Sequence, residues 1–238
     1  MNILAIGNSF SQDATRYLQA IARSRGEKWN VVNLYIGGCS LEQHYRNMLR
    51  EDDVYGLQIN GTPSGFYVSL KEALLNRAWD VITLQQASHF SAFYDTYQPY
   101  LNELAAYVRK LCPKAKLYIH QTWAYEACSK KLESVAFPTP DAMFEAVEKA
   151  YAQAAADIHA DGLIPSGKMM LALSNYGFPV HRDTFHASYG LGRFALGLLW
   201  YRTLSGSSVA DCTFCDLDEP LPTDTDFSVR KFVDSIAL

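Results

Sequence analysis

The chain has 238 residues, 49% of them hydrophobic, and its 21 basic and 25 acidic side chains leave a formal charge of −4. That is enough apolar material for a full core, and the slight acidity, with no Lys/Arg-rich stripe, argues against nucleic acid as a partner. The longest apolar stretch in a helical context, 194–201, falls far short of the roughly 20 residues of a membrane-spanning helix, and five cysteines in a chain too long to need disulfide staples read as reduced thiols.

The N-terminus opens directly on a strand-like run, 2–6, with no basic segment and no apolar leader before it, and this predicts a cytoplasmic protein. The turn Gly7-Asn8-Ser9-Phe10 follows, and then Ala14, Tyr17, Leu18, Ile21 and Ala22 recur at helical spacing up to Gly26. A second strand, 31–35, runs into Ile36-Gly37-Gly38-Cys39-Ser40 and a helix carrying His44. Residues 52–68 break the rhythm with Asn60-Gly61, a dipeptide suited to the positive φ angles of a two-residue hairpin turn. A third strand, 80–84, is followed by Gln85-Gln86-Ala87-Ser88-His89, and Leu101, Leu104, Ala105, Val108 and Leu111 mark a helix between Pro99 and Pro113.

A fourth strand, 116–120, leads to Trp123 and Tyr125. Met143, Val147, Ala150, Tyr151, Ala154 and Ile158 make another helical face, a short strand is expected at 162–165, and Leu191, Phe194, Ala195, Leu198 and Leu199 mark the last long helix. Beyond Gly206 the pattern weakens and Pro and Asp accumulate, so residues 206–238 are expected to form an irregular tail. The alternation predicts one α/β domain over 1–238, with a mostly parallel sheet of about five strands covered by helices on both faces and a small hairpin insertion at 52–68.

Two segments carry chemistry. Ser9 lies between the first strand and the first helix, at the carboxyl end of the sheet, where open α/β folds bind ligands and helix amides stabilise negative charge. Taken alone, such a serine reads as a helix cap. Asp183-Thr184-Phe185-His186 lies just before the last long helix, and its three-residue spacing lets the carboxylate turn back onto the imidazole and fix its tautomer. A doubly wound sheet brings these two segments to one edge, and together they are far more specific than either alone.

These residues resemble the SGNH (GDSL-type) hydrolase superfamily, which has a Gly-Asp-Ser block near its N-terminus, a Gly after its second strand, an Asn after its third, and an Asp-x-x-His near its C-terminus. The blocks spread over nearly the whole chain, so the resemblance implies a three-layer α/β/α, flavodoxin-like fold as well as a site. It implies Ser9 as nucleophile, Asp183 and His186 as the rest of a triad, and the backbone of Ser9 and Gly38 as oxyanion donors, with no cofactor and no metal. Asn8 replaces the usual Asp of the first block. The third block has no Asn, and Gln86 or Gln85 is expected to supply an amide donor from a longer arm. The combination looks like a bacterial branch of the superfamily with a Gly-Asn-Ser-Phe first block.

Asn8, His44, Gln85 and Trp123 are candidate substrate contacts, each weighed against an ordinary packing role. His181 is the rival base, Cys39 a remote rival nucleophile, and Cys212 and Cys215 ordinary thiols, because no second pair completes a metal site. The expected function is a serine esterase acting on a small-molecule or carbohydrate ester, including acetyl esters, through an acyl-enzyme. A non-catalytic small-molecule or carbohydrate-binding protein of the same fold is the alternative. Nucleotide binding is disfavoured because Gly7-Asn8-Ser9 lacks a glycine-rich phosphate loop.

Overall fold

Short aliphatic runs with buried side chains on both faces form the middle of the sheet, as expected of parallel strands covered by helices. The computed structural model describes residues 1–237. In chain order the elements are β1 (Asn2–Gly7), α1 (Ser9–Thr15), α2 (Leu18–Ser24), β2 (Asn30–Tyr35), α3 (Leu41–Arg50), β3 (Tyr55–Ile59), β4 (Thr62–Val68), α4 (Leu70–Leu75) and β5 (Val81–Leu84). They continue with α5 (Tyr100–Leu111), β6 (Lys116–His120), α6 (Lys130–Ser134), α7 (Pro140–Asp157), β7 (Gly162–Ile164), α8 (Ser166–Asn175), α9 (Leu191–Ser205) and α10 (Thr223–Ser235).

The sheet has seven strands in the order β4-β3-β2-β1-β5-β6-β7. The five strands expected from the sequence are all present and mutually parallel. The count rises to seven because the hairpin joins the sheet: β3 pairs antiparallel with β2, and β4 with β3. This pairing covers the backbone edge that β2 would otherwise expose. Asn60 and Gly61 turn the hairpin with φ angles of 51° and 81°. A side chain at Gly61 would also collide with the carbonyl of Arg16, so the tip seats directly on the loop between α1 and α2.

Two sequence expectations change. The first helical pattern is two helices rather than one, parted at Arg16 and Tyr17. Tyr17 leaves the pattern to donate from its hydroxyl to the Tyr189 carbonyl and to accept from the Asp218 amide. The tail is irregular only to residue 222: α10 buries Val229 and Val233 and packs on α9. The apolar spacing of those two valines is offset by the surrounding Asp and Lys, and the partner face on α9 makes the helix worth forming.

Strand order reverses about β1, with β2 on one side and β5 on the other. The crevice at the carboxyl end of β1 is therefore the place where such a sheet receives a ligand.

Candidate active site

Asn8 closes β1 and caps α1, its Oδ1 accepting from the Phe10 amide at 3.0 Å. Its Nδ2 donates to the Cys39 carbonyl at 3.1 Å, and Gln85 Nε2 donates to its Oδ1 at 2.8 Å. The residue before the serine is thus a three-way tie among the Ser9 turn, the glycine loop after β2 and the segment after β5. Gln85 is held in turn, its Oε1 lying 2.8 Å from His120 Nδ1 while His120 Nε2 meets Ser166 Oγ at 3.1 Å.

Ser9 begins α1 with its Oγ 2.9 Å from His186 Nε2. Asp183 Oδ2 lies 2.7 Å from His186 Nδ1, and Asp183 Oδ1 accepts from the His186 amide at 2.9 Å. Burial pushes the Asp183 carboxyl up, but the hydrogen bonds from His186 and the charge of Arg182 outweigh it, and the net pKa lies below the usual carboxylate value. Asp183 therefore stays ionised, and a carboxylate on Nδ1 leaves Nε2 free to accept a proton from Ser9. The intervening Thr184 adopts φ 73°, which folds the carboxylate back onto the imidazole.

The serine opens into a cavity of about 410 Å³ lined by Asn8, Phe10, Gly38, Ser88, Tyr125 and Phe185, among others. Among the described residues, neither the Ser9 nor the Gly38 amide finds an acceptor. Gly38 has φ +64°, a conformation a side chain would strain, and this turns the loop toward the serine.

Several candidates lie elsewhere. Gln86 does not face the cavity: its Nε2 donates to the Thr96 carbonyl and hydroxyl, and its Oε1 accepts from the Leu41 and Ala87 amides. Both ends of the amide are committed to buried backbone, so Gln86 is a structural strut and not an oxyanion donor. Gln85 is likewise spent on Asn8 and His120.

His44 is fully buried beneath the glycine loop, stacked on Tyr55 with Nδ1 2.9 Å from its hydroxyl, and burial lowers its pKa to about 3. Trp123 is also fully buried, stacked on Phe10 at 4.0 Å and donating to the Phe185 carbonyl at 2.8 Å. It braces α1 against the loop that carries Asp183 and His186 without reaching the cavity. His181 is turned inward, and burial lowers its pKa to about 4. Burial drives the Cys39 thiol up to about 12, which leaves it inert as a nucleophile.

Three further features were missed in the sequence. Ser88 lines the cavity with its Oγ 2.8 Å from the Tyr125 hydroxyl. Asp13, one helical turn after Ser9 and fully buried, binds Arg182 and Arg193 and accepts from the Ala187 amide at 3.1 Å. Lys131, on α6, stands at the cavity wall with its ammonium 4.5 Å from the Phe185 ring. The one charged side chain in α1, set next to Ala14 in the apolar pattern, was the available signal for Asp13, whereas Ser88 and Lys131 had none.

The model of the DUF4886 family, described as a domain of unknown function, matches residues 2–218. The chain belongs to the DUF4886 family. A solved DUF4886 structure from Bacteroides uniformis is similar at 29% identity and a TM-score of 0.91, over 98% of this chain and 93% of that one. An acetylxylan esterase, Axe2 of Geobacillus stearothermophilus, is similar at 13% identity and a TM-score of 0.55, over 85% of this chain and 91% of that one. A GDSL-like lipase of Bacteroides thetaiotaomicron is similar at 12% identity and a TM-score of 0.51, over 86% and 88%. At these identities the last two show that the DUF4886 chain shares the GDSL-like hydrolase fold. No curated protein matches it. Among the described residues, no helix is long and apolar enough to cross a membrane.

Proposed function

We propose that the chain is a serine esterase that cleaves carboxylic esters through an acyl-enzyme on Ser9. The observation that carries this reading is the hydrogen-bonded series Asp183–His186–Ser9, at 2.7 and 2.9 Å, opening on a cavity with two unpaired backbone amides. Ser9 Oγ attacks the ester carbonyl as its proton passes to His186 Nε2, and the Ser9 and Gly38 amides hold the oxyanion. His186 then returns that proton to the departing alcohol. Water attacks the acyl-enzyme, gives a proton to His186, and Ser9 leaves with it as the acid is released.

The third oxyanion donor in this reading is the hydroxyl of Ser88, which takes the role first expected of Gln86. If Tyr125 donates to Ser88 Oγ, the Ser88 proton is free to point into the cavity. Acetyl esters on a carbohydrate are the favoured substrates, because the aromatic rings of Phe10, Tyr35, Tyr125 and Phe185 give the cavity walls on which a sugar ring packs. The same fold is used by a protein described as an acetylxylan esterase.

The test is labelling by a fluorophosphonate, with Ser9→Ala as control, together with turnover of p-nitrophenyl acetate and acetylated sugars. Rapid labelling lost in Ser9→Ala is expected. A folded protein that neither labels nor turns over any ester is instead a binding protein of this fold.

A further inference from the structure

The chain carries a net negative charge, yet the wall of the cavity at Ser9 holds two cationic side chains, Lys131 and Arg182, and no Asp or Glu. The two cations are not equivalent. Arg182 is matched by Asp13, whose two oxygens lie 2.9 and 3.1 Å from its Nη1. Lys131 is exposed and forms no ion pair with any of the described residues. Its ammonium rests on the face of Phe185 at 4.5 Å, and Phe185 in turn lies against the His186 ring with centroids 3.8 Å apart.

Through Phe185 the charge is linked to the ring of the proposed base, His186, in two contacts. His89 lines the same cavity, and its pKa is lowered first by burial and then by the charge of Lys131. His89 is thereby kept neutral, adding a hydrogen-bonding ring but no second competing charge. An uncompensated ammonium held over an aromatic face at the rim of an acyl-transfer cavity suits an anionic group on the substrate. A neutral substrate would leave it without a partner.

We propose that the substrate is an ester of an acidic molecule, with a carboxylate, as on an acidic sugar, held by Lys131 while Ser9 attacks an acyl group about one ring away. This rests on the esterase reading and adds the substrate's charge to it. Lys131 acts on binding and orientation, and it takes no part in the proton transfers.

The experiment compares kcat/KM for a matched pair, an O-acetylated methyl glucuronoside and the corresponding methyl glucoside, which differ in one carboxylate. The acidic sugar is expected to be preferred by roughly fivefold at low salt, the scale of one partly exposed ion pair. The preference should shrink as ionic strength approaches about 0.5 M. Lys131→Met, checked for folding by its melting temperature, should bring the ratio to about one, and Lys131→Glu should reverse it. Equal kcat/KM for the two sugars in the wild type, or a preference unchanged in Lys131→Met, overturns the proposal and leaves the esterase reading standing.

If neither sugar turns over but Ser9 is labelled by fluorophosphonate, protection decides. Methyl glucuronoside must then slow labelling of the wild type more than of Lys131→Met, and equal protection overturns the proposal. Absence of both turnover and labelling removes the esterase reading, and the proposal with it.

Discussion

Asp13 and Arg182 tie α1 to the loop that carries Asp183 and His186: the buried carboxylate, one turn beyond Ser9 on α1, grips the guanidinium of the residue that directly precedes Asp183. The same carboxylate takes Arg193 Nε at 2.8 Å and the Ala187 amide, the residue that directly follows His186. The loop bearing Asp183 and His186 is thus clamped at both ends to the helix bearing Ser9. A misplacement of about 1 Å in such an arrangement can cost on the order of a hundredfold in rate.

Replacing Asp13 by Asn keeps the shape and removes the charge, leaving Arg182 and Arg193 partly buried without it. Stability should fall by about 3 kcal/mol or more, the usual cost of removing one partner of a buried pair. The rate of fluorophosphonate labelling at Ser9 should also fall at least tenfold in the protein that remains folded, because the base is no longer held on the serine. Wild-type labelling in a destabilised Asp13→Asn would show that the clamp serves only the fold.

Ser9→Ala should abolish ester turnover and change the melting temperature little. The cap of α1 is the Asn8 side chain, and Ser9 contributes only its contact with His186. Turnover close to that of the wild type, rather than the small residue that substrate binding and the oxyanion donors sustain without the serine, would point to another nucleophile. Asn8→Ala, by contrast, should reduce both stability and activity, since it removes the cap, worth about 1 kcal/mol, and both cross-links to neighbouring loops.

The oxyanion assignment separates Ser88 from Gln86. Ser88→Ala should lower kcat by roughly tenfold to a hundredfold with little change in KM, the pattern of a contact that strengthens in the transition state. Tyr125→Phe should give a smaller loss, because it frees the Ser88 hydroxyl to rotate. Gln86→Ala should act first on stability, by leaving the Leu41 and Ala87 amides and the Thr96 carbonyl without their partner. A stable Gln86→Ala with selectively reduced kcat would return Gln86 to the mechanism.

Acid should destabilise the protein well before its carboxylates titrate. Burial lowers the pKa of His44 and of His120 to about 3 in the folded state, against about 6.5 for an unfolded histidine. Unfolding therefore takes up protons at both once the pH falls below about 6.5. Stability is full above that value and declines as the pH drops toward about 3. Urea denaturation at pH 7, 6 and 5 should show a steadily falling unfolding free energy, with a shallower slope in His44→Gln. A flat profile between pH 7 and 5 would mean that these imidazoles are accessible to protons without unfolding.

The sequence by itself determined the sheet's parallel core and singled out Ser9, Asp183 and His186, which the fold brings within hydrogen-bonding distance of one another. The strand runs are short, aliphatic and bounded by turns, and the blocks containing Ser9 and Asp183 with His186 are local patterns that need no distant partner to be read. The hairpin was legible for the same reason, since Asn60-Gly61 dictates its own turn. The tertiary structure decided the rest. Gln85, Gln86, His44 and Trp123 all lie at the carboxyl edge, as strand position implies, but which way each side chain turns depends on groups 10 to 77 residues away that compete for it. Gln86 is captured by Thr96 and Leu41, and that capture turns its amide away from the cavity that Ser88 lines. The helix α10 was illegible because its few apolar residues gain their burial from distant partners, chiefly α9, and the clamp on the loop of Asp183 and His186 was illegible because it pairs Asp13 with an arginine 169 residues away. Burial and pairing over such separations are settled by the packed core, where most buried polar groups find a partner.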